Sequence, residues 1–308
     1  MAPLLGCRSP PTELGRVLRS FAVLLLALAW NGARAQPYLD VVNTAGYISP
    51  HRFEKYDVNM ALPIPIGKQG ARLVFSPGVE RWNARADSAA QQRTDALTGY
   101  ALPVTLLAPL VPDRWTLSIT GIGRYMVIED PARGDVQLGG AVLVNRVLRP
   151  ELTLKFGAYA NADAFGLFAL PLLGLDWRIN AKHNLFGVLP GNFLYEHKVS
   201  RAFHWGAAYK AITTSFGTRD GDFRRVDENT VGLFADLYPW KNIVLRVEGG
   251  HSVISQYQGG QLDPYYPADS EEKYVDHGLG DGFYGRVMLA FRVRLDEGTP
   301  PRVREDQP

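Results

Sequence analysis

The chain has a single cysteine, Cys7, and it lies within a leader-like first 35 residues. After Ala35 there is none, which excludes a disulfide framework, a thiolate-bound metal and a cysteine nucleophile. Long apolar runs are also lacking. The longest, Phe21 to Trp30, has 10 residues, against the roughly 20 needed to cross a bilayer as a helix. Neither sign of charge dominates: 33 basic residues stand against 31 acidic ones. Nothing in that balance, and no motif, points to nucleic acid. No Pro/Ser/Gly linker divides the chain.

The leader itself is informative. Arg8, Arg16 and Arg19 precede the apolar core, and Ala33-Arg34-Ala35 supplies a small-x-small cleavage pattern before Gln36. Cys7 is not followed by a lipoprotein-type cleavage site. The expected organisation is a signal peptide at 1–35, one β domain at 36–295 and a charged, proline-containing tail at 296–308 that is disordered and periplasmic. Cleavage near Ala35 removes four arginines and one glutamate, so the +2 of the whole chain becomes a formal −1.

From about Leu39 the hydrophobic period is two, not 3.6. Phe203, Trp205, Ala207 and Tyr209 share one face, with His204, Gly206 and Lys210 on the other. Leu152, Leu154, Phe156 and Ala158 alternate with Thr153, Lys155 and Tyr159. Phe283, Val287, Leu289, Phe291 and Val293 oppose Arg286, Arg292 and Arg294. No amphipathic helix of ordinary length competes.

Tight connections, such as Pro112-Asp113-Arg114, Asn180 to His183 and Pro239 to Asn242, largely alternate with longer polar ones. The longer ones are Asn83 to Leu97, Gly217 to Glu228 and Ser255 to Gly280. This is the rhythm of an all-β, transmembrane, antiparallel up-and-down barrel, with short periplasmic turns and long extracellular loops. About 12–14 strands fit. The short segments flanking Pro190-Gly191 leave the number open between 12 and 14, and Pro63, Pro65 and Pro77 make the first hairpins the least secure.

In hydrocarbon every backbone N–H and C=O must be paired, so strands cross only as a closed barrel. A soluble secreted sandwich or barrel would show the same alternation with its apolar face inward. Trp82, Trp115, Trp177, Trp205 and Trp240 near strand ends suit an interfacial girdle and favour the membrane. The last strand, from Gly285 through Phe291, looks like the C-terminal signal that barrel-assembly machinery reads, although a tail follows it. The expected location is a Gram-negative outer membrane, with lipid and lipopolysaccharide as surroundings. The oligomeric state stays open.

One segment has a more particular likeness. Pro171-Leu-Leu-Gly-Leu-Asp-Trp-Arg-Ile-Asn180, Asn184-Leu-Phe-Gly-Val-Leu-Pro-Gly191, Glu196-His-Lys198 and Tyr238-Pro-Trp240 resemble an uncharacterised family of outer-membrane barrels, domain of unknown function 6268. The string covers about a third of the chain, from Leu170 to Val253. The resemblance implies a barrel and its location, and no activity.

Candidate interior residues are Arg124, Lys155, Asp176, Arg178, Glu196, Lys198, Lys210, Asp236, Arg246, Glu248, Arg286 and Arg292, with His204. They fit either an ion-paired filling or a porin-like conduit for small polar solutes. A barrel enzyme acting on lipid or surface polymer is the alternative. His251-Ser252 is its tempting pair, but adjacent strand residues point to opposite faces. His51, His183 and His197 lack metal-ligand spacing. The acidic stretch around His277 (Asp263, Asp269, Glu271, Glu272, Asp276, Asp281) reads as a solvated loop rather than a cation site. No catalytic residue, metal or cofactor is expected.

Overall fold

The computed structural model describes residues 37–49, 53–67, 70–88, 91–219, 221–261, 272–278 and 282–295. The expected signal peptide and tail lie outside the described residues.

The alternating segments become paired strands from the first hairpin onward. β1 (Tyr38–Ser49) runs antiparallel to β2 (Phe53–Met60), which continues past Ala61 as β3 (Leu62–Ile66). The chain returns as β4 (Ala71–Phe75) and, past Ser76-Pro77, as β5 (Gly78–Ser88). β2 with β5 and β3 with β4 form two halves of one hairpin, interrupted in the stretch where proline breaks the ladder. Next come β6 (Gln91–Val111), β7 (Trp115–Ile128), β8 (Asp135–Arg149), β9 (Leu152–Asp163) and β10 (Gly166–Arg178). β11 (His183–Leu189), β12 (Asn192–Lys198), β13 (Phe203–Gly217), β14 (Asp222–Trp240) and β15 (Ile243–Gln261) follow. β16 (Glu272–Gly278) and β17 (Gly282–Arg294) pair with successive stretches of β15. β17 then pairs with β1, from Tyr38 opposite Arg294 to Ile48 opposite Gly285, and the sheet closes on itself. With β2–β3, β4–β5 and β16–β17 each taken as one crossing, the protein is a closed antiparallel barrel of 14 strands.

The long polar loops need correction. β5 reaches Ser88 and β6 starts at Gln91, so Asn83 to Leu97 is nearly all hairpin. β14 starts at Asp222, leaving a short turn after Gly217. Within Ser255 to Gly280, β15 continues to Gln261 and pairs with β16. The sequences of these stretches carry no sustained period-two apolar pattern, so a reading keyed to hydrophobicity takes them for loops.

Alternation fixes the faces. Leu102, Leu106, Ile119, Val142, Leu173, Leu233, Val247, Val287 and Leu289 are exposed on the outside, whereas Glu196, Asp236, Arg246 and Arg292 are buried. Leu245, Phe291 and Trp205 share the outward face, opposite to Arg246, Arg292 and His204. Trp177, Trp205 and Trp240 point outward at the end that holds Tyr38 and Arg294 (the near end). Trp82 breaks the expected girdle. It is fully buried inside the opposite, far end, edge-to-face with Phe53 at 5.7 Å, because it lies on the inward face of β5 with Glu80.

Candidate functional site

The interior has three tiers. At the near end, on the side formed by β1, β11–β15 and β17, it is filled by an arginine–carboxylate network. Arg246 grips Asp236 with two bonds, of 2.6 and 2.8 Å. These two residues are also cross-strand partners between β14 and β15. Arg292 donates to Asp236 at 2.7 Å and to both oxygens of Asp40 at 2.6 and 2.9 Å. Asp40 and Arg292 face each other across the β1–β17 seam, so this pair fastens the first strand to the last. Arg294 grips Glu196 at 2.6 and 3.0 Å, while Asn184 donates to the same carboxylate at 2.8 Å and His204 Nδ1 lies 3.2 Å away. Tyr238 Oη accepts from both Arg292 and Arg294. The rings of Tyr38 and Phe234 lie 3.6 and 3.8 Å from the guanidinium carbons of Arg292 and Arg246. Planar guanidinium groups suit such bidentate and stacked contacts better than lysine would.

At the far end the filling is mostly apolar. Tyr47, Phe53, Trp82, Leu97, Met126, Phe216, Val226 and Tyr257 form one buried cluster. Buried carboxylates are set into it: Asp95 accepts from Arg224 Nε at 3.0 Å and from Tyr257 Oη, and Glu228 accepts from Tyr47 Oη.

Between these tiers lies a cavity of about 590 Å³. Lys55, Glu80 and Arg124 bring charge to its lining, and Gly99, Ala101 and Gly78 supply the space. Lys55 is 2.8 Å from Glu80, and Arg124 reaches Tyr159 Oη at 3.0 Å and Asp163 at 3.7 Å. A smaller void shares Lys55, Asp57 and Ile212 with it and is lined by Lys210, Glu228, Glu248 and Arg286. Tyr284 donates to Glu248 at 2.8 Å, and Arg286 stands 3.5 Å from that carboxylate. Lys155 pairs with Asp176 at 2.8 Å.

All the candidate residues lie on the inward face by strand alternation, but they do not form one set. Arg246, Asp236, Arg292, Glu196 and His204 belong to the near-end network. Arg124, Lys210, Glu248 and Arg286 surround the central voids, and Lys155 with Asp176 forms a separate pair. Arg178 and Lys198 stand half-exposed towards the near end. Sequence reasoning missed Tyr38, Asp40, Lys55, Asp57, Glu80 and Asp163. The first five are set by the register of the early hairpins, which proline breaks, and Asp163 ends β9, past the alternation that runs from Leu152 to Tyr159.

His251 points outward against Phe283, with ring centroids 5.3 Å apart, and Ser252 is buried with its Oγ donating to the Ile254 carbonyl at 3.2 Å. His183 and His197 stack at 4.4 Å on the outer surface beside Trp205. Among the described residues no group of three or more His, Cys, Asp or Glu side chains could hold a metal ion. The side chains of 262–281, which include the acidic stretch around His277, lie outside the described ones.

These features define an all-β, closed antiparallel barrel of 14 strands with a filled interior. No family model matches the chain, and no curated protein matches it. Among solved structures it is similar to the NanC porin at 9% identity, covering 82% of this chain and all of that one, with a TM-score of 0.39. It is similar to the KdgM porin, solved in complex with disordered oligogalacturonate, at 8% identity, 81% and 97% coverage and a TM-score of 0.34. A mutant of the Rh. blastica porin aligns at 9% identity, over 83% of this chain and all of that one, with a TM-score of 0.26. Likeness at this level says nothing about activity.

Proposed function

We propose that the chain is a non-enzymatic outer-membrane barrel with a narrow, porin-like interior that admits small polar or amphipathic solutes to a central cavity. The observation that carries this reading is the cavity itself, about 590 Å³ set among paired charges between two packed tiers. Small-molecule sites occupy roughly 300–1,000 Å³. The interior charges are mostly neutralised by partners, so they shape and hold the barrel more than they select ions. Arg246, wholly committed to Asp236 and Tyr38, is not a free charge on a conduit. The outward apolar surface supports burial in lipid, with lipopolysaccharide beside it and the assembly machinery as folding partner, after signal-peptide cleavage near Ala35. Assignment to the family of domain of unknown function 6268 rests on the residue strings given above. The separation of His251 from Ser252 across the sheet argues against a hydrolase there.

Planar-bilayer recording tests the reading. The wild type should give small, rare conductance steps, because Trp82 and its neighbours occupy the far-end interior. Trp82→Ala, which empties a fully buried indole, should raise the step size severalfold. A wild-type conductance already as large as that of the variant would contradict it.

A further inference from the structure

The barrel wall is uneven. β11 and β12 have 7 residues each, whereas the neighbouring β10 and β13 have 13 and 15. β10 pairs with β11 only from Leu173 to Arg178, and β13 pairs with β12 only from His204 to Lys210. Beyond the Pro190-Gly191 turn, the edges of β10 and β13 face each other with no strand between them among the described residues. The gap is framed. Below it, Gly191 O accepts from Ala211 N at 2.8 Å. Above it, Ser215 Oγ accepts from Ala164 N at 3.0 Å and donates to Asp163 at 3.1 Å. The span between these two framing positions, Ala211 and Ser215, is roughly 13 Å, at about 3.3 Å per residue.

The central cavity reaches this gap. Ala211, Ile212, Thr213 and Thr214 all line it. Successive strand residues point to opposite faces, so a void that touches four in a row lies against the open edge of β13 rather than one face of it. Opposite, the upper part of β10 is apolar on both faces. Phe168, Leu170 and Leu172 line the cavity, while Leu167 and Leu173 are 80% and 64% exposed outside. On this wall an apolar surface therefore continues from the outer face of β10 to its inner one.

We infer that the gap between β10 and β13 is a lateral portal through which an acyl chain of a lipid in the surrounding outer leaflet enters the central cavity. This rests on the membrane-barrel reading and deepens it by naming the occupant. Free backbone groups along two edges are costly in bare hydrocarbon; water from the cavity and the ester oxygens of the entering lipid supply partners. Pro171, on the β10 edge, has no N–H to satisfy.

The test uses the full protein in phosphatidylethanolamine–phosphatidylglycerol vesicles doped with a phospholipid bearing a photoactivatable diazirine in mid-chain, with adducts mapped by peptide mass spectrometry. Leu172 and Ile212, inside the barrel, should be labelled at least about tenfold above the interior far-wall pair Thr105 and Thr120, a difference worth about 1.4 kcal/mol. Ile212→Trp, which fills the cavity, should cut labelling of Leu172 by a similar factor and leave the outward Leu233 and Leu289 unchanged. Labelling confined to Leu233 and Leu289 overturns the portal and leaves the barrel standing. Absence of label at those two outward positions overturns both.

Discussion

Replacing Arg292 by Met tests the near-end network where it is most concentrated. The guanidinium is fully buried and donates twice to Asp40, once to Asp236 and once to Tyr238. Its loss leaves the two carboxylates unequally placed. Asp236 keeps both bonds from Arg246. Asp40 loses its guanidinium, though its side chain retains 19% exposure and some access to water. Breaking a buried pair by removing one partner costs about 3–5 kcal/mol. The remaining bonds to Asp236 and the partial exposure of Asp40 place this case at the lower end, about 3 kcal/mol, or roughly a hundredfold in the unfolding equilibrium. Urea unfolding in lipid vesicles, followed by the heat-dependent gel mobility shift and by tryptophan fluorescence, reads this directly. With a slope of about 1–3 kcal/mol per molar, the midpoint should fall by roughly 1–3 M. Arg149→Met, at an exposed position at the near end, should stay within about 0.5 kcal/mol of wild type. If Arg292→Met unfolds alongside Arg149→Met, the network does not hold the seam and the reasoning fails.

Because Arg246 and Arg292 share Asp236, Arg246→Met combined with Arg292→Met should depart from additivity by about 0.5–3 kcal/mol in the same assay; strict additivity would mean that the two arginines act separately. Leu233→Arg places a charge on the outward belt at a residue 64% exposed there. It should destabilise the vesicle-embedded barrel by about 2–4 kcal/mol, and an effect below about 0.5 kcal/mol would put Leu233 in water.

The parts of this architecture that were legible in the sequence are those where one face must be apolar. Alternation through Ala202 to Thr214 and Phe283 to Leu295 located β13 and β17 and their inward charges, because a lipid belt imposes period two on the outward side. Asn83 to Leu97 and Gly217 to Glu228 were opaque for the converse reason: they carry no sustained period-two apolar pattern, so their composition resembles a loop. Trp82 was misplaced because an indole near a strand end suits an interfacial girdle as readily as a buried cluster. Which carboxylate meets which arginine depends on register, and Asp40 with Arg292 are 252 positions apart, on the first and last strands. The shortness of β11 and β12 was visible around Pro190-Gly191. Its consequence was not, because a gap exists only if β10 and β13 continue past the turn, and the sequence alone does not fix their relative heights.

Everything depends on which way the two faces of each strand look. Nitroxides attached to cysteines introduced one at a time from Thr116 to Gly121 of β7, in a Cys7→Ser background reconstituted in vesicles, measure this through collision with oxygen or with a water-soluble nickel chelate. Leu117, Ile119 and Gly121 should be relaxed by oxygen, and Thr116, Ser118 and Thr120 by nickel, with a period of two. Strong nickel relaxation at Leu117 and Ile119, with the threonines shielded, would mean that the apolar faces form a soluble core.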